Sequence, residues 1–366
     1  MKKKIKIWPI VLGFVMGFAA FALYAAWSMF GEIITAANTV TRLEEGLYAL
    51  EFAGDYGFED FLQQGGAASD EAVAAYLTQF LSRGFYTVEA ESGAFGCSTL
   101  RVENEQGNTL FGRNYDWTKC QTMLVHTKPK DGYESVSTCD LEFLGFGEDY
   151  RPDGGMMDKI MSLAAVYVPL DGMNEKGLMV ADLMAGGTEA THQQGAKADL
   201  TTTTAIRLLL DRAATVDEAL ALLRQYNMHS SIGAAHHLSL CDASGRSVVV
   251  EYLDNEMSVI ETPVVTNHYL TPSPSSAGSE QSHRRFDTLM AARQQSGGVM
   301  TLETLRQTMR SVAQCNYPQS SDRYEMTVWT VLYDPAAGAV EFCFAEQYET
   351  GYTAVLGAEK FAWAKQ

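Results

Sequence analysis

The sequence predicts an α+β protein whose strand pairs, alternating with helix pairs, suit two antiparallel sheets sandwiched between helical layers. Hairpin patterns recur at residues 97–114, 239–251 and 327–344. Helical patterns at 201–214, 216–227, 285–293 and 302–313 fall between them. The composition, 46% hydrophobic and 20% charged, is that of an ordinary globular chain and excludes disordered and collagen-like classes. The 366 residues suffice for one large domain or two ordinary ones. Acidic residues outnumber basic ones 45 to 27, a net charge of −18. So acidic a surface repels phosphate backbones, which excludes nucleic acid as an expected partner. Six cysteines are too few for a disulfide scaffold.

Residues 1–30 read as a signal anchor or signal peptide. Lys2, Lys3, Lys4 and Lys6 precede an uncharged stretch over residues 7–30, 24 residues long. About 20 apolar residues cross a bilayer as a helix, and the lysines belong on the cytoplasmic side, which places the remainder outside the cell membrane or in the secreted fraction. Ala20-Phe21-Ala22 resembles a cleavage site, but the stretch continues past it, which favours a retained single-pass anchor over a cleaved signal.

Residues 31–96 read as an acidic helical prosegment. They hold 11 acidic residues, with Arg42 and Arg83 as the only cations. Val40, Leu43, Leu47 and Leu50 recur at helical spacing. A second helix starts at Ser69-Asp70-Glu71, carries Val73, Leu77, Phe80 and Leu81 on one face, and ends at Gly84. Gly65-Gly66 breaks the segment between the two.

At Cys97 the pattern changes to period two, and the turn around Glu105-Gln106 reads as a hairpin. Counting outward from that turn sets Cys97 opposite Arg113 or Asn114, with Asp116 just beyond. A thiol, a fixed cation and a carboxylate then share one end of a two-stranded ribbon. A thiolate is the nucleophile, and a free cysteine titrates at about 8.5, so Cys97 needs help near neutral pH. No histidine is near it in sequence. If the bond between Gly96 and Cys97 opens, the new α-amine, with a pKa of about 7.7–8.0, sits on the nucleophile itself and can take its proton. Gly96 suits such a scissile bond because it has no Cβ.

Gly96-Cys97-Ser98-Thr99-Leu100 followed by Phe111-Gly112-Arg113-Asn114-Tyr115-Asp116-Trp117 resembles the choloylglycine hydrolase family of N-terminal-nucleophile amidases. That family includes bile salt hydrolases and penicillin V acylases; the acid ceramidase-like, N-acylethanolamine acid amidase and isopenicillin N acyltransferase groups share this opening. In these enzymes an Arg follows the nucleophile by sixteen residues and an Asp by nineteen, as Arg113 and Asp116 do here. The stretch from Asp171 to Leu178 resembles the family's turn ahead of an oxyanion-hole position, occupied by Met184. Val265-Thr266-Asn267 resembles the strand carrying the second oxyanion donor, and Arg285, in a stretch where Arg284 is adjacent, aligns with a later family Arg.

The resemblance covers residues 97–344 and implies a four-layer αββα sandwich for the catalytic domain, 97–366. It implies that Cys97 Sγ attacks a linear C–N amide and forms a thioester, with Asn267 Nδ2 and the Met184 N–H donating to the oxyanion. It further implies that Asp116 holds the α-amine, that Arg113 favours the thiolate and that Arg285 orders Asp116 or the active-site water. Self-cleavage between Gly96 and Cys97 would make residues 31–96 a separate chain.

The expected substrate is a small N-acyl amide, and no cofactor or metal is expected. Acyl transfer to an amine and a catalytically silent membrane-tethered module are the alternatives; homo-oligomerisation is left open. Adjacent His236 and His237 on a strand point to opposite faces and cannot chelate one metal together, so they read as structural. His268 and His283 lie near the site without a family role. Cys120, Cys139, Cys241, Cys315 and Cys343 are an odd set beside Cys97, and a Cys120–Cys139 bridge is open in an exported protein.

Overall fold

The computed structural model describes residues 16, 30–82, 96–118, 120–146, 150–186, 190–272, 278–316 and 325–366. One mixed sheet has nine strands. It begins with β1 (Thr41–Glu44), β2 (Leu47–Gly54), β5 (Thr122–Pro129), β6 (Ser135–Asp140) and β7 (Asp171–Asn174). It continues with β8 (Met179–Met184), β11 (His236–Cys241), β12 (Ser247–Leu253) and β13 (Glu256–Glu261). The second sheet runs through β14 (Val264–Val265), β3 (Gly96–Glu103), β4 (Thr109–Thr118), β16 (Glu325–Asp334), β17 (Ala339–Phe344), β18 (Tyr352–Val355) and β19 (Ala364–Lys365). Here β15 (Cys315–Asn316) pairs with β16. A parallel pair, β9 (Asp199–Thr201) with β10 (Asn227–His229), stands apart. Every pairing in the two large sheets is antiparallel except β2 with β5.

Three packed layers of side chains define the architecture. Leu47, Ala49, Cys97, Phe111, Leu124, Val249 and Trp329 meet between the sheets. The other face of the nine-stranded sheet, with Tyr48, Leu50 and Val125, packs on Ile33, Phe61, Leu77 and Leu209. These belong to helices α1 (30–37), α2 (Phe58–Gln63), α3 (Asp70–Ser82) and α5 (Thr202–Arg212), which α4 (Met156–Ser162) and α6 (Val216–Leu223) accompany. The outer face of the second sheet, with Leu100, Val102 and Val264, packs on Leu289 of α7 (Glu280–Gln295) and on Leu305 and Met309 of α8 (Leu302–Ser311). The order helix, sheet, sheet, helix is the expected αββα sandwich.

One expectation is overturned. Residues 41–54 are strands, not a helix, and they form the edge of the nine-stranded sheet. Leu47 and Ala49 face the other sheet while Tyr48, Leu50 and Phe52 face the helices. A strand covered on both faces reads as a continuous apolar run, and Leu43, Leu47 and Leu50 meet helical spacing by coincidence. The second helix of the segment, α3, is present from Asp70 to Ser82; its expected end at Gly84 lies outside the described residues.

The Cys97 hairpin is also longer in its turn than expected. Gly107 donates its N–H to the Asn104 carbonyl (2.9 Å) and adopts φ +80°, while the Asn104 N–H reaches the Asn108 carbonyl (2.8 Å). This three-residue loop with a left-handed glycine shifts the register, so Cys97 faces Tyr115 and Arg113 faces Thr99. The Cys120–Cys139 bridge is absent. Cys120 lies between the sheets, Cys139 faces the helical layer, and both are free thiols. Among the described residues no helix is long and apolar enough to cross a membrane; the expected span over residues 7–30 lies almost wholly outside them.

Candidate active site

Opposed residues in an antiparallel pair share a face, and neighbours along a strand alternate. Cys97, Thr99, Arg113 and Tyr115 therefore point inward between the sheets, where Thr99 Oγ1 meets Ser239 Oγ at 3.0 Å. Gly96 faces Asp116 on the outward side, beneath α7. The register thus divides the site: thiol and guanidinium on one face, carboxylate on the other, with the main chain of Cys97 between them.

On the inner face, Arg113 Nη2 is 3.7 Å from Cys97 Sγ and donates to the Asp182 carbonyl at 3.0 Å. Its Nε pairs with Asp171 Oδ2 at 3.1 Å, both side chains being almost fully buried. Asp171 is held in turn by Trp329 Nε1 (3.0 Å) and Tyr333 Oη (2.7 Å). The Tyr115 and Trp329 rings lie against the guanidinium, 4.8 and 5.5 Å from its carbon. Burial pushes the Cys97 thiol up to about 12, and the Arg113 charge opposes this without overcoming it. Cys97 is accordingly a neutral thiol in this arrangement, and nucleophilic chemistry there would need a base to take its proton.

On the outer face, Arg285 gathers the rest. Its Nη1 donates to the Cys97 carbonyl (2.6 Å) and to Asp116 Oδ2 (3.2 Å), and its Nη2 donates to Asn267 Oδ1 (2.7 Å). Asn267 Oδ1 also accepts the Cys97 N–H at 2.6 Å, while Asn267 Nδ2 donates to the Met184 carbonyl at 2.8 Å. Thr327 Oγ1 donates to Asp116 Oδ1 at 2.5 Å. Burial lifts the Asp116 carboxyl to about 6, with Arg285 and Thr327 pulling the other way. Arg285 is buried and Arg284 exposed, which settles which of the two arginines belongs to the site.

Met184 ends β8 opposite His236. Its neighbour Ala185 donates to the Ala235 carbonyl at 2.9 Å, so by the alternation of an antiparallel ladder Met184 turns both its N–H and its C=O away from β11. That carbonyl is the one taken by Asn267, so the Met184 N–H lies on the Asn267 side as well. Gly96 is extended backbone rather than a strained residue. A Cβ there would stand 3.1 Å from Gln314 Nε2 and 3.3 Å from both Arg285 Nη2 and Asp116 Oδ2. A side chain there would crowd the site's own polar groups, which would have to give by a few tenths of an ångström.

All seven residues named from the sequence are thus linked by contacts that run through Cys97, Arg285 and Asn267. Sequence reasoning missed Asp171 as the partner of Arg113, and Thr327 as the partner of Asp116. Asp171 stood inside a stretch already singled out, whereas Thr327 is 211 positions from Asp116 and is brought there by the β4–β16 register alone. His236 and His237 do face opposite ways. His236 Nδ1 pairs with Asp182 at 2.8 Å and its Nε2 meets the Ser231 carbonyl at 3.0 Å. His268 Nδ1 meets Ser282 Oγ at 2.9 Å, and its ring lies 3.9 Å from that of His283, tilted by 37°. Among the described residues no group of three or more His, Cys, Asp or Glu side chains is arranged to hold a metal.

Comparison with known proteins agrees with this fold. A conjugated bile acid hydrolase from Clostridium perfringens superposes with a TM-score of 0.54 at 15% identity, over 74% of this chain and 97% of that one. A second variant of the same hydrolase gives 0.54 at 14% identity, over the same shares of both chains. A penicillin V acylase from Agrobacterium tumefaciens gives 0.48 at 20% identity, over 70% of this chain and 90% of that one. A family model described as acyl-coenzyme A:6-aminopenicillanic acid acyl-transferase matches residues 102–349, well over half of the sequence. The resemblance first seen around Cys97 is borne out at the level of the family: the chain belongs to the acyl-coenzyme A:6-aminopenicillanic acid acyl-transferase family.

Proposed function

We propose that this protein is a cysteine amidase that hydrolyses a linear C–N bond of an N-acyl substrate through a thioester on Cys97, after cleavage between Gly96 and Cys97. The observation that carries the reading is the shared placement of the Cys97 thiol and the Cys97 main-chain nitrogen. The thiol lies beside Arg113, and the nitrogen bonds to Asn267 Oδ1 within the Arg285–Asp116 cluster.

Once the bond ahead of Cys97 is cut, the nitrogen becomes an amine held by Asn267 and Asp116 and takes the thiol proton. Arg113 then faces a thiolate and stabilises it. Sγ attacks the substrate carbonyl, and the oxyanion is met by the Met184 N–H and the second Nδ2 hydrogen of Asn267. One such donor is worth about 3–4 kcal/mol. The protonated amine gives its proton to the leaving nitrogen, and water then attacks the thioester with the amine again as base.

The family match favours a second reading on the same residues, in which an amine rather than water takes the acyl group. Product analysis with and without an amine acceptor separates the two. A panel of glycine- and taurine-conjugated bile salts, penicillin V, N-acylethanolamines and acyl-homoserine lactones tests the substrate class. Absence of turnover together with an unreactive Cys97 toward iodoacetamide would overturn the proposal. Residues 7–30 are the proposed export signal or anchor, which puts the site outside the cell; protease accessibility in intact cells tests that placement.

A further inference from the structure

His237 on β11 and Glu251 on β12 face each other across the strand pair, both fully buried, with His237 Nδ1 3.6 Å from Glu251 Oε1. His237 Nε2 is 2.8 Å from the Thr266 carbonyl. A carbonyl only accepts, so Nε2 carries a proton. Glu251 Oε1 accepts the Leu270 N–H at 2.7 Å and Oε2 accepts the Thr271 N–H at 2.8 Å. The main chain is thereby gripped on both sides of Asn267, one residue before it and three and four residues after it, by two side chains from the opposite sheet. The β-ladder does not do this work, because β14 pairs with β3 only through Val264 and Val265. Burying a carboxylate is expensive unless its lone pairs are met. Here burial pushes the Glu251 carboxyl up, and His237 with the Leu270 and Thr271 donors outweighs it, holding the group below its ordinary value.

We propose that His237 and Glu251 are positioning residues, a clamp across the two sheets that sets the pose of the Asn267 amide toward Cys97. The clamp rests on the reading of Asn267 as an oxyanion donor. It is tested with His237→Phe, His237→Gln and Glu251→Gln, using the best substrate of the panel above and Asn-labelled protein. His237→Phe and Glu251→Gln should lower kcat 10- to 100-fold with KM within threefold. His237→Gln, whose Nε2–H reaches the same carbonyl, should keep at least a third of the wild-type kcat. A wild-type kcat in His237→Phe, or a loss in His237→Gln as large as in His237→Phe, overturns the clamp. If His237→Phe does not fold, or if the wild-type protein turns over nothing in the panel, the Asn267 side-chain amide resonance in Glu251→Gln decides. A shifted resonance supports the clamp and an unmoved one overturns it; in the second case the functional reading falls separately.

Discussion

Arg113 and Asp116 are three positions apart on β4 and serve opposite faces of it, the guanidinium against the thiol and the carboxyl under Arg285. Each therefore has its own test. With a carboxyl that titrates near 6 instead of 3.8, the folded state binds a proton that the unfolded chain has already released. Stability from this group declines as pH rises from about 4 to about 6, and the charged partner of Arg285 appears as pH passes through about 6. Cleavage at Gly96–Cys97 should rise with pH through about 6, and Asp116→Asn should abolish that limb in a gel-based time course. Asn267→Ala should lower kcat by about 10²- to 10³-fold, read by steady-state kinetics on protein whose melting is checked alongside. Replacing Arg113 by Met strands Asp171, a buried carboxylate; the loss should be about 3–5 kcal/mol in denaturant unfolding.

At the scale of elements, the hairpin from Cys97 to Asn114 was legible because its strands alternate and its turn carries Asn and Gly. Its register was not, because the residues from Asn104 to Asn108 suit a two-residue or a three-residue turn, and each pairs the strands differently. Gly107→Val should cost about 1–2 kcal/mol by denaturant midpoint, since φ there is +80°. The later hairpins and helices stand close to where periodicity put them. The α7 helix starts earlier than read, at Glu280, because Ser279 caps it by accepting the Ser282 N–H at 3.1 Å. What misled the reading of residues 40–50 was burial on both faces, which erases the alternation that marks a strand. In the site, residues at fixed offsets within one hairpin were readable. Partners supplied by another strand, such as Thr327, were not, since only the β4–β16 register joins them.

For the molecule as a whole, the described residues ahead of Cys97 form an edge of the main sheet and part of its helical layer. Phe61 is 1% exposed and packs against the rings of Phe58, Tyr76 and Tyr167. Phe61→Ala should destabilise the whole fold by about 3–5 kcal/mol, in calorimetry or denaturant unfolding, although it lies ahead of Cys97 in the sequence. By the same packing, the piece ahead of Cys97 should co-purify with the catalytic piece after cleavage and part from it only in denaturant. The central claim is that Cys97 works with its own liberated amine. Intact-mass analysis of the purified protein, paired with an amidase assay on the same sample, tests it most directly. The account predicts two pieces meeting between Gly96 and Cys97 and a single uncut, inactive chain for Cys97→Ala; a wild-type chain that stays whole yet hydrolyses amides at full rate would contradict it.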